Sequence, residues 1–304
     1  SYASWVWLTI LSMLAIMFLP RQFQIAVIEN IDEKHLTKAI WLFPLYLLLI
    51  NIFVLPIAVA GILHFPKGTV DPDTFVLTVA MAEKYHAIAL IAFLGGLSAA
   101  TGMIIVETVA LSTMVCNDLV MPLVLRARAQ HDLSRLPLHV RRAVIVLLLL
   151  LGYLYFRIAG EAYALVSIGL ISFAAVAQFA PALIGGMYWK GATRTGALAG
   201  LLAGFALWAW TLLLPSIAKS GWLPQGFVTG GPFGWTLLRP EQLFGLAGLD
   251  NLTHALLWSL LANIGLFVAV SLARAPSLRE MQQALRFVDV FRRDDAPAEA
   301  ALRW

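Results

Sequence analysis

The sequence predicts an all-α polytopic membrane protein. Hydrophobic residues make up 61% of the 304 positions and charged residues only 12%, against roughly 25% charged in soluble domains. Apolar runs of about 20 residues recur along the chain, each long enough to cross a hydrocarbon core of roughly 30 Å. Backbone groups in lipid must be satisfied within their own segment, so these runs are helices. A mean hydropathy of +0.84 agrees. The formal charge of +4 does not argue for nucleic acid, because the basic residues sit mostly in short loops. The single Cys116 excludes an intrachain disulfide. The chain opens on Ser1, not Met, straight into an apolar run, and reads as part of a longer protein.

Residues 3–19 form the first predicted span. Pro20 then removes a backbone donor. The segment after it, Arg21-Gln22-Phe23-Gln24, either lies outside the membrane or lines a cavity at a discontinuous helix. Glu29 to Lys38 is polar and reads as a loop. The second span is Ile40 to Leu63, with Pro44 and Pro56 inside it and Asn51 as its one strongly polar group, expected to bond a neighbouring helix. Residues 64–85 read as a loop with a turn at Pro72-Asp73.

The third span, from His86 to about Asp118, carries the most chemistry. Thr101, Thr108 and Ser112 fall on one side of a helix. Gly95, Gly96, Ala99, Ala100 and Gly102 would let another backbone approach. Two readings stay open: the stripe packs helices together, or it lines a path for a solute or ion. Glu107 is the one carboxylate deep in a span, so it is a candidate for cation binding, proton acceptance or anchoring of a neighbouring helix. Its helical angle sets it apart from the Thr101 stripe.

Residues 118–142 read as a basic loop. The fourth span is Ala143 to Phe156, with an interfacial Arg157–Glu161 pair beyond it. The fifth runs from Tyr163 to about Tyr188 and holds Ser167, Ser172 and Gln178, with Pro181 near its end. The sixth is Gly196 to Leu214. A Gly-, Pro- and Trp-rich loop over residues 215–251 is expected to pack on the rim of the bundle. The seventh span is Leu252 to Leu272, and a tail follows with Leu278, Met281, Leu285 and Val288 on one helical side.

Seven spans alternate the loops between two faces. One face collects 16 of the 21 Lys and Arg residues, which places it, with the C-terminus, in the cytoplasm. No phosphate-binding loop, HExxH or CxxC motif is present, and the six His residues have no metal spacing. His35, His64, His86, His131, His139 and His254 lie mostly at span ends, where interfacial or solvated roles are expected.

Several runs resemble the sodium:solute symporter family, especially its branch fused to bacterial sensor histidine kinases. They are Gly95-Gly-Leu-Ser-Ala-Ala-Thr-Gly-Met-Ile-Ile-Val, continuing through Leu111-Ser-Thr-Met-Val-Cys-Asn-Asp-Leu-Val-Met-Pro122; Phe18-Leu-Pro-Arg-Gln-Phe23 with Glu29-Asn30; and Phe173-Ala-Ala-Val-Ala-Gln-Phe-Ala-Pro-Ala-Leu-Ile-Gly-Gly-Met-Tyr-Trp-Lys190. Phe287-Val-Asp-Val-Phe291 is similar to the linker toward the signalling modules of those kinases. The resemblance covers nearly the whole chain.

It implies a LeuT-like five-plus-five inverted-repeat fold, of which this chain would supply the second repeat plus two peripheral helices. Residues 1–274 would form the partial transporter domain and 275–304 a cytoplasmic linker. Gln22 and Phe23 would lie on the substrate path, Phe23 as an inner-gate aromatic, with Thr108 and Ser112 also along that path. Ala99, Gly102 and Met103 match the family's sodium site. Relatives carry hydroxyls at the last two positions, so two side-chain oxygens are missing here, and Ser98, Thr101 or Glu107 would have to substitute. Na+ as coupling ion is the only cofactor implied. The expected partners are a small organic solute such as an amino acid or short carboxylate, the lipid bilayer, and kinase modules in the same full-length chain, with no nucleic acid. The expected setting is the bacterial inner membrane. The expected role is a transporter or transporter-like sensor domain of a two-component system, whose full-length protein would be an ATP-dependent histidine kinase. The alternatives are a free-standing cation-coupled symporter and a bundle that serves only as an anchor.

Overall fold

The computed structural model describes residues 2–66, 69–127, 136–159, 165–219, 224 and 226–288. No strand occurs among the described residues, and six helical segments are long and apolar enough to cross a membrane. The protein is a polytopic helical membrane protein. Helix α1 (Tyr2–Phe18) ends one residue before α2 (Pro20–Phe23), which passes into a π-helical turn at Gln24–Ile28. Pro20 suits the first turn of a new helix, where a missing N–H costs nothing. Taken together these pieces are long and apolar enough for a seventh span bent by 52°, or for a re-entrant loop.

Helix α3 (Glu33–His64) starts earlier than the sequence predicts, because the Asp32 carboxylate caps it by accepting from the Lys34 N–H. Pro44 and Pro56 lie inside it. Asn51 does not reach a neighbouring helix; its amide donates to Leu47 O one turn back, at 2.8 Å. The expected loop at 64–85 holds a 3₁₀ turn at Pro72–Thr74 and the short helix α4 (Phe75–Ala82). Asp71 accepts from the Asp73 N–H and starts that turn.

Helix α5 (His86–Met114) continues through a π-helical turn at Val115–Val120 into α6 (Met121–Ala127). Helix α7 (Leu136–Ala159) follows. The predicted basic loop is therefore helical at both ends. Pro137 stands at the second position of α7, where proline is tolerated, whereas Pro122 lies inside a continuous helical run, just after the π turn. The Arg157–Glu161 pair and His131 fall outside the described residues, as do residues 289–304 of the expected linker.

The fifth span is broken: α8 (Leu165–Ala177) and α9 (Ala180–Tyr188) flank Gln178 and Phe179. Helix α10 (Arg194–Trp208) runs through a third π turn, Ala209–Leu213, into α11 (Leu214–Lys219). Short turns and α12 (Gly226–Gly230) fill the predicted Gly-, Pro- and Trp-rich loop. Helix α13 (Asn251–Ala273) is the last span, and α14 (Leu278–Phe287) follows it.

The chain divides into two compact units, Ser1–Leu19 with Val166–Trp304, and Pro20–Leu165. In the first, α10 and α13 pack closely, and α1 also lies on α13. The apolar core joins Leu11 of α1 to Ala174 and Ala177 of α8, Leu212, and Ala255, Leu256 and Leu260 of α13. In the second, α5 meets α2, α4 and α7. Among the described residues, the stretch of α5 from Gly95 to Gly102 carries no close neighbour: Gly95, Gly96 and Gly102 have open space where a Cβ would stand, and Ala99 and Ala100 are exposed. The close backbone approach expected at these small residues does not occur in this unit.

Candidate functional site

Two polar features lie inside predicted membrane segments. The first joins α2 to α5. Arg21 follows the break at Leu19 directly, so its side chain projects from the first turn of a new helix. Its Nε stands 3.8 Å from Oε2 of Glu107, with the two side chains 22% and 36% exposed. This is an ion pair without a hydrogen bond, and the Arg21 Nε has no other partner. Sequence reasoning placed Arg21 at a possible cavity and Glu107 in mid-span; the fold brings the two together. Gln22 beside them is half-buried and Phe23 is exposed.

The hydroxyl stripe of α5 bonds within its own helix. Thr101 donates to Leu97 O at 2.7 Å, Thr108 to Ile104 O at 2.7 Å, and Ser112 to Val109 O at 3.0 Å. Such back-bonding satisfies a hydroxyl in apolar surroundings without a ligand. Thr101 is exposed, Thr108 half-buried and Ser112 buried. Ala99, Gly102 and Met103 are exposed and supply no side-chain oxygen, and Ser98 is exposed beside them. The side chains of Ala99, Gly102 and Met103 do not fit a hard cation, which takes oxygen ligands. Among the described residues, no three His, Cys, Asp or Glu side chains converge on a possible metal position.

The second feature is a buried amide network in the other unit. The break between α8 and α9 leaves Gln178 fully enclosed. Its Nε2 donates to Ser259 Oγ at 2.9 Å and to Ala174 O at 3.2 Å. Asn263 Nδ2 donates to the Gln178 backbone carbonyl at 2.7 Å and to its Oε1 at 3.2 Å. The Gln178 carbonyl is freed by the helix break, and Asn263 takes it up. Only Asn263 Oδ1 lacks a partner within this cluster. Asn263→Ala would orphan that carbonyl and cost about 1–3 kcal/mol. Ser259→Ala removes one neutral bond and should cost about 0.5–1.5 kcal/mol. Thermal unfolding of the purified protein in detergent should rank the two in that order.

The network forms because α10 has glycine every fourth residue facing α13. Gly196, Gly200 and Gly204 are all buried, and a Cβ at each would collide with Ser271, with the Asn263 and Phe267 backbone region, and with Gln178 respectively. This spacing lets two helices touch backbone to backbone. The repeat is readable in the sequence as Gly196, Gly200 and Gly204.

Beyond one end of α13, the connecting segments are tied down by polar contacts. His254 is fully buried, and its Nε2 accepts from the Leu243 N–H at 3.0 Å. This corrects the solvated role expected from its place near a span end. The acceptor at Nε2 puts the ring proton on Nδ1, which has no partner. Glu241 accepts from the Asn251 amide at 2.7 Å and pairs with Lys219. Asp250 caps α13 through the Thr253 N–H and accepts from the Ser4 hydroxyl at 2.6 Å. Burial pushes its carboxyl up, but the bonds from Ser4 and Thr253 outweigh that and hold it below the usual range.

At the other end of α13, a cavity of about 480 Å³ is lined by Gly186, Trp189, Arg194, Phe267, Glu280 and Gln283 among others. Thr193 caps α10 and donates its N–H to Ser271 Oγ on α13 at 3.2 Å. Glu280 accepts from the Arg194 N–H at 2.8 Å and from the Ser277 N–H and hydroxyl at 2.7 Å, completing a capping box. The Arg194 and Ser277 backbone bonds, with the Ser277 hydroxyl, hold its carboxyl down at about 2. A depressed carboxyl contributes fully above its unfolded value of 4.5 and loses that contribution as pH falls toward 2. Amide protection in α14 should therefore be constant down to about pH 4.5 and decline below it, which hydrogen exchange over residues 277–288 measures.

The chain matches no protein-family model, no curated protein and no solved structure.

Proposed function

We propose that this chain is part of a transporter-like membrane domain that binds a small organic solute, an amino acid or short carboxylate. The observation that carries the reading is the Arg21–Glu107 pair at a broken span. Charges inside membrane segments are expensive and mark solute or ion pathways. Discontinuous helices are how transporters of the inverted-repeat type expose polar groups at mid-membrane. Arg21 matches a carboxylate, and Glu107 matches an ammonium; an amino acid carries both. The resemblance of Phe18–Phe23 and Gly95–Pro122 to the sodium:solute symporter branch fused to histidine kinases supports a LeuT-like fold. In that reading Gln22, Phe23, Thr108 and Ser112 lie along the path, and kinase modules follow in the full-length chain. With Arg21 set aside as an intramembrane residue, 15 of the other 20 Lys and Arg residues lie on one face and support a cytoplasmic C-terminus, and the family points to a bacterial inner membrane.

Two states separated by alternating access would let the solute bias one of them through differential affinity. Ala99, Gly102 and Met103 provide no oxygen side chains, so any ion coupling is assigned to Glu107 and not to the family's sodium positions. The test uses the complete protein in proteoliposomes, with labelled amino acids and short carboxylates, with and without a sodium gradient. The expected result is saturable amino-acid binding that does not depend on sodium and is lost in Glu107→Gln. Absence of saturable binding for both solute classes would overturn the reading in favour of a simple anchor. Sodium-driven uptake that survives Glu107→Gln would return the ion site to the 98–103 region.

A further inference from the structure

We propose that α14 is a strap whose docking reports the seating of α10 on α13, with Glu280 as the coupling group. Two successive backbone N–H groups at the start of α10 leave in different directions. Thr193 donates to Ser271 Oγ in the last turn of α13 at 3.2 Å, and Arg194 donates to Glu280 Oε1 of α14 at 2.8 Å. The first N–H groups of a helix have no partner within it, so both can tie α10 to its neighbours. Thr193 is buried, caps α10 through the Gly196 N–H at 3.1 Å, and places its hydroxyl 3.1 Å from Ser271 Oγ. Gly196 keeps this seat narrow: a Cβ there would stand 2.7 Å from the Phe267 carbonyl oxygen of α13. A shift of α10 on α13 therefore carries the Arg194 N–H with it.

Glu280 divides its carboxylate between two helices. Oε1 serves α10, while Oε2 accepts from the Ser277 N–H and hydroxyl, both at 2.7 Å, within the capping box of α14. One side chain thus starts α14 and fastens it to α10. A helix of ten residues is marginal in water without packing. None of the described side chains of α14 is buried, and Glu280, Gln283 and Ala284 border a cavity of about 480 Å³ instead of a filled core. One charge-assisted bond is then large against the stability of the element, which is the condition for local opening. The Arg194 and Ser277 bonds hold the carboxyl at about 2, so near neutral pH the strap answers to α10 and not to protonation. Residues 275–304 are the expected linker, and the strap stands at its root. The inference rests on α10, α13 and α14 alone and holds for any solute.

The experiment uses the whole protein in vesicles. It reads hydrogen exchange over residues 277–288 and at the Thr193 and Gly196 amides, and the distance between spin labels at Gln282→Cys on α14 and Leu261→Cys on α13. Both labelled positions are exposed. Cys116 is buried, so the unsubstituted protein gives the labelling background. Arg286, which makes a contact of its own, stays unchanged in every variant. Glu280→Gln should speed exchange in α14 on the order of tenfold and broaden the label distances. Ser277→Ala should speed exchange in α14 but keep the distances narrow, since the Arg194 bond survives it. Ser271→Ala is the decisive variant, because Ser271 bonds α10 and, among the described residues, makes no hydrogen bond to α14. It should speed α14 exchange several-fold and broaden the distances. A Ser271→Ala protein that folds with α14 unchanged would overturn the coupling. Coupling is reciprocal, so Glu280→Gln should also speed exchange at Thr193 and Gly196, whose N–H groups it does not touch. Unchanged exchange at those two amides would overturn the proposal even where Ser271→Ala fails to fold.

Discussion

Gly200→Leu is expected to leave little folded protein. A Cβ at Gly200 would stand 2.6 Å from the Asn263 carbonyl oxygen, 2.8 Å from Asn263 Oδ1 and 2.9 Å from Phe267 Cβ. All three atoms belong to α13. The carbonyl oxygen is helix backbone and cannot rotate aside, so α10 and α13 must separate. Overpacking of this kind costs about 1–3 kcal/mol, and Gly200→Ala should fall in that range. Leucine adds further carbons in the same space and splits the Gln178–Asn263 network as the helices part. Against a total stability on the order of 5–15 kcal/mol, the alanine variant survives and the leucine variant does not. Gly265 on α13 supplies the contrast, since nothing stands within 4 Å of its Cβ position. Gly265→Ala should gain up to about 1 kcal/mol from helix propensity. Size-exclusion profiles and thermal unfolding in detergent decide the matter; an unchanged melting temperature in Gly200→Ala would refute the close approach.

Glu107→Gln should destabilise the protein more than the double variant Arg21→Gln/Glu107→Gln. The single change leaves Arg21 without its counter-charge inside a membrane segment. Removing one partner of a fully buried pair costs about 3–5 kcal/mol, while removing both can be nearly neutral. Arg21 and Glu107 are 22% and 36% exposed, so the penalty here is discounted to about 1–3 kcal/mol. A double-mutant cycle on unfolding free energies isolates the coupling. A coupling energy of zero would mean that the two charges are held near each other without interacting. Solute binding, by contrast, should be lost in the single and the double variant alike, because restored stability does not restore the charges.

The spans were legible because burial in lipid demands length and apolarity, and both are written directly in composition. All seven predicted runs correspond to helices, including the broken first one. The ends were less legible. Asp32 and Asp71 start helical segments by accepting backbone N–H groups within two residues of themselves, and a polar run with such caps looks like a loop when only hydropathy is followed. The pairing of Arg21 with Glu107 was not legible either. The two lie more than eighty positions apart, and no periodicity within one helix reports its neighbour. Gln178, Ser259 and Asn263 were visible as polar residues in spans, but their meeting depends on the break at Gln178 and on the approach that Gly200 permits. The glycine repeat of α10 was the one available signal for that approach. Gly95 to Gly102 are the converse case: small residues admit a close neighbour, and among the described residues the space beside them is open.

The helical run from His86 to Val124 covers 39 residues, or about 58 Å at 1.5 Å per residue. That exceeds even the roughly 40–45 Å of a bilayer with its headgroups. Such a rod must either lean strongly or stand proud of the surface. In both cases it works mechanically as a beam longer than the wall it passes through. A swing of about 10° moves one tip of a 58 Å rod by about 10 Å relative to the other. Glu107 sits near the middle of the beam, where the displacement of such a swing is least. The π turn at Val115–Val120 lies between Glu107 and the far tip, so that tip would follow a swing through a joint wound differently from the rest of the shaft.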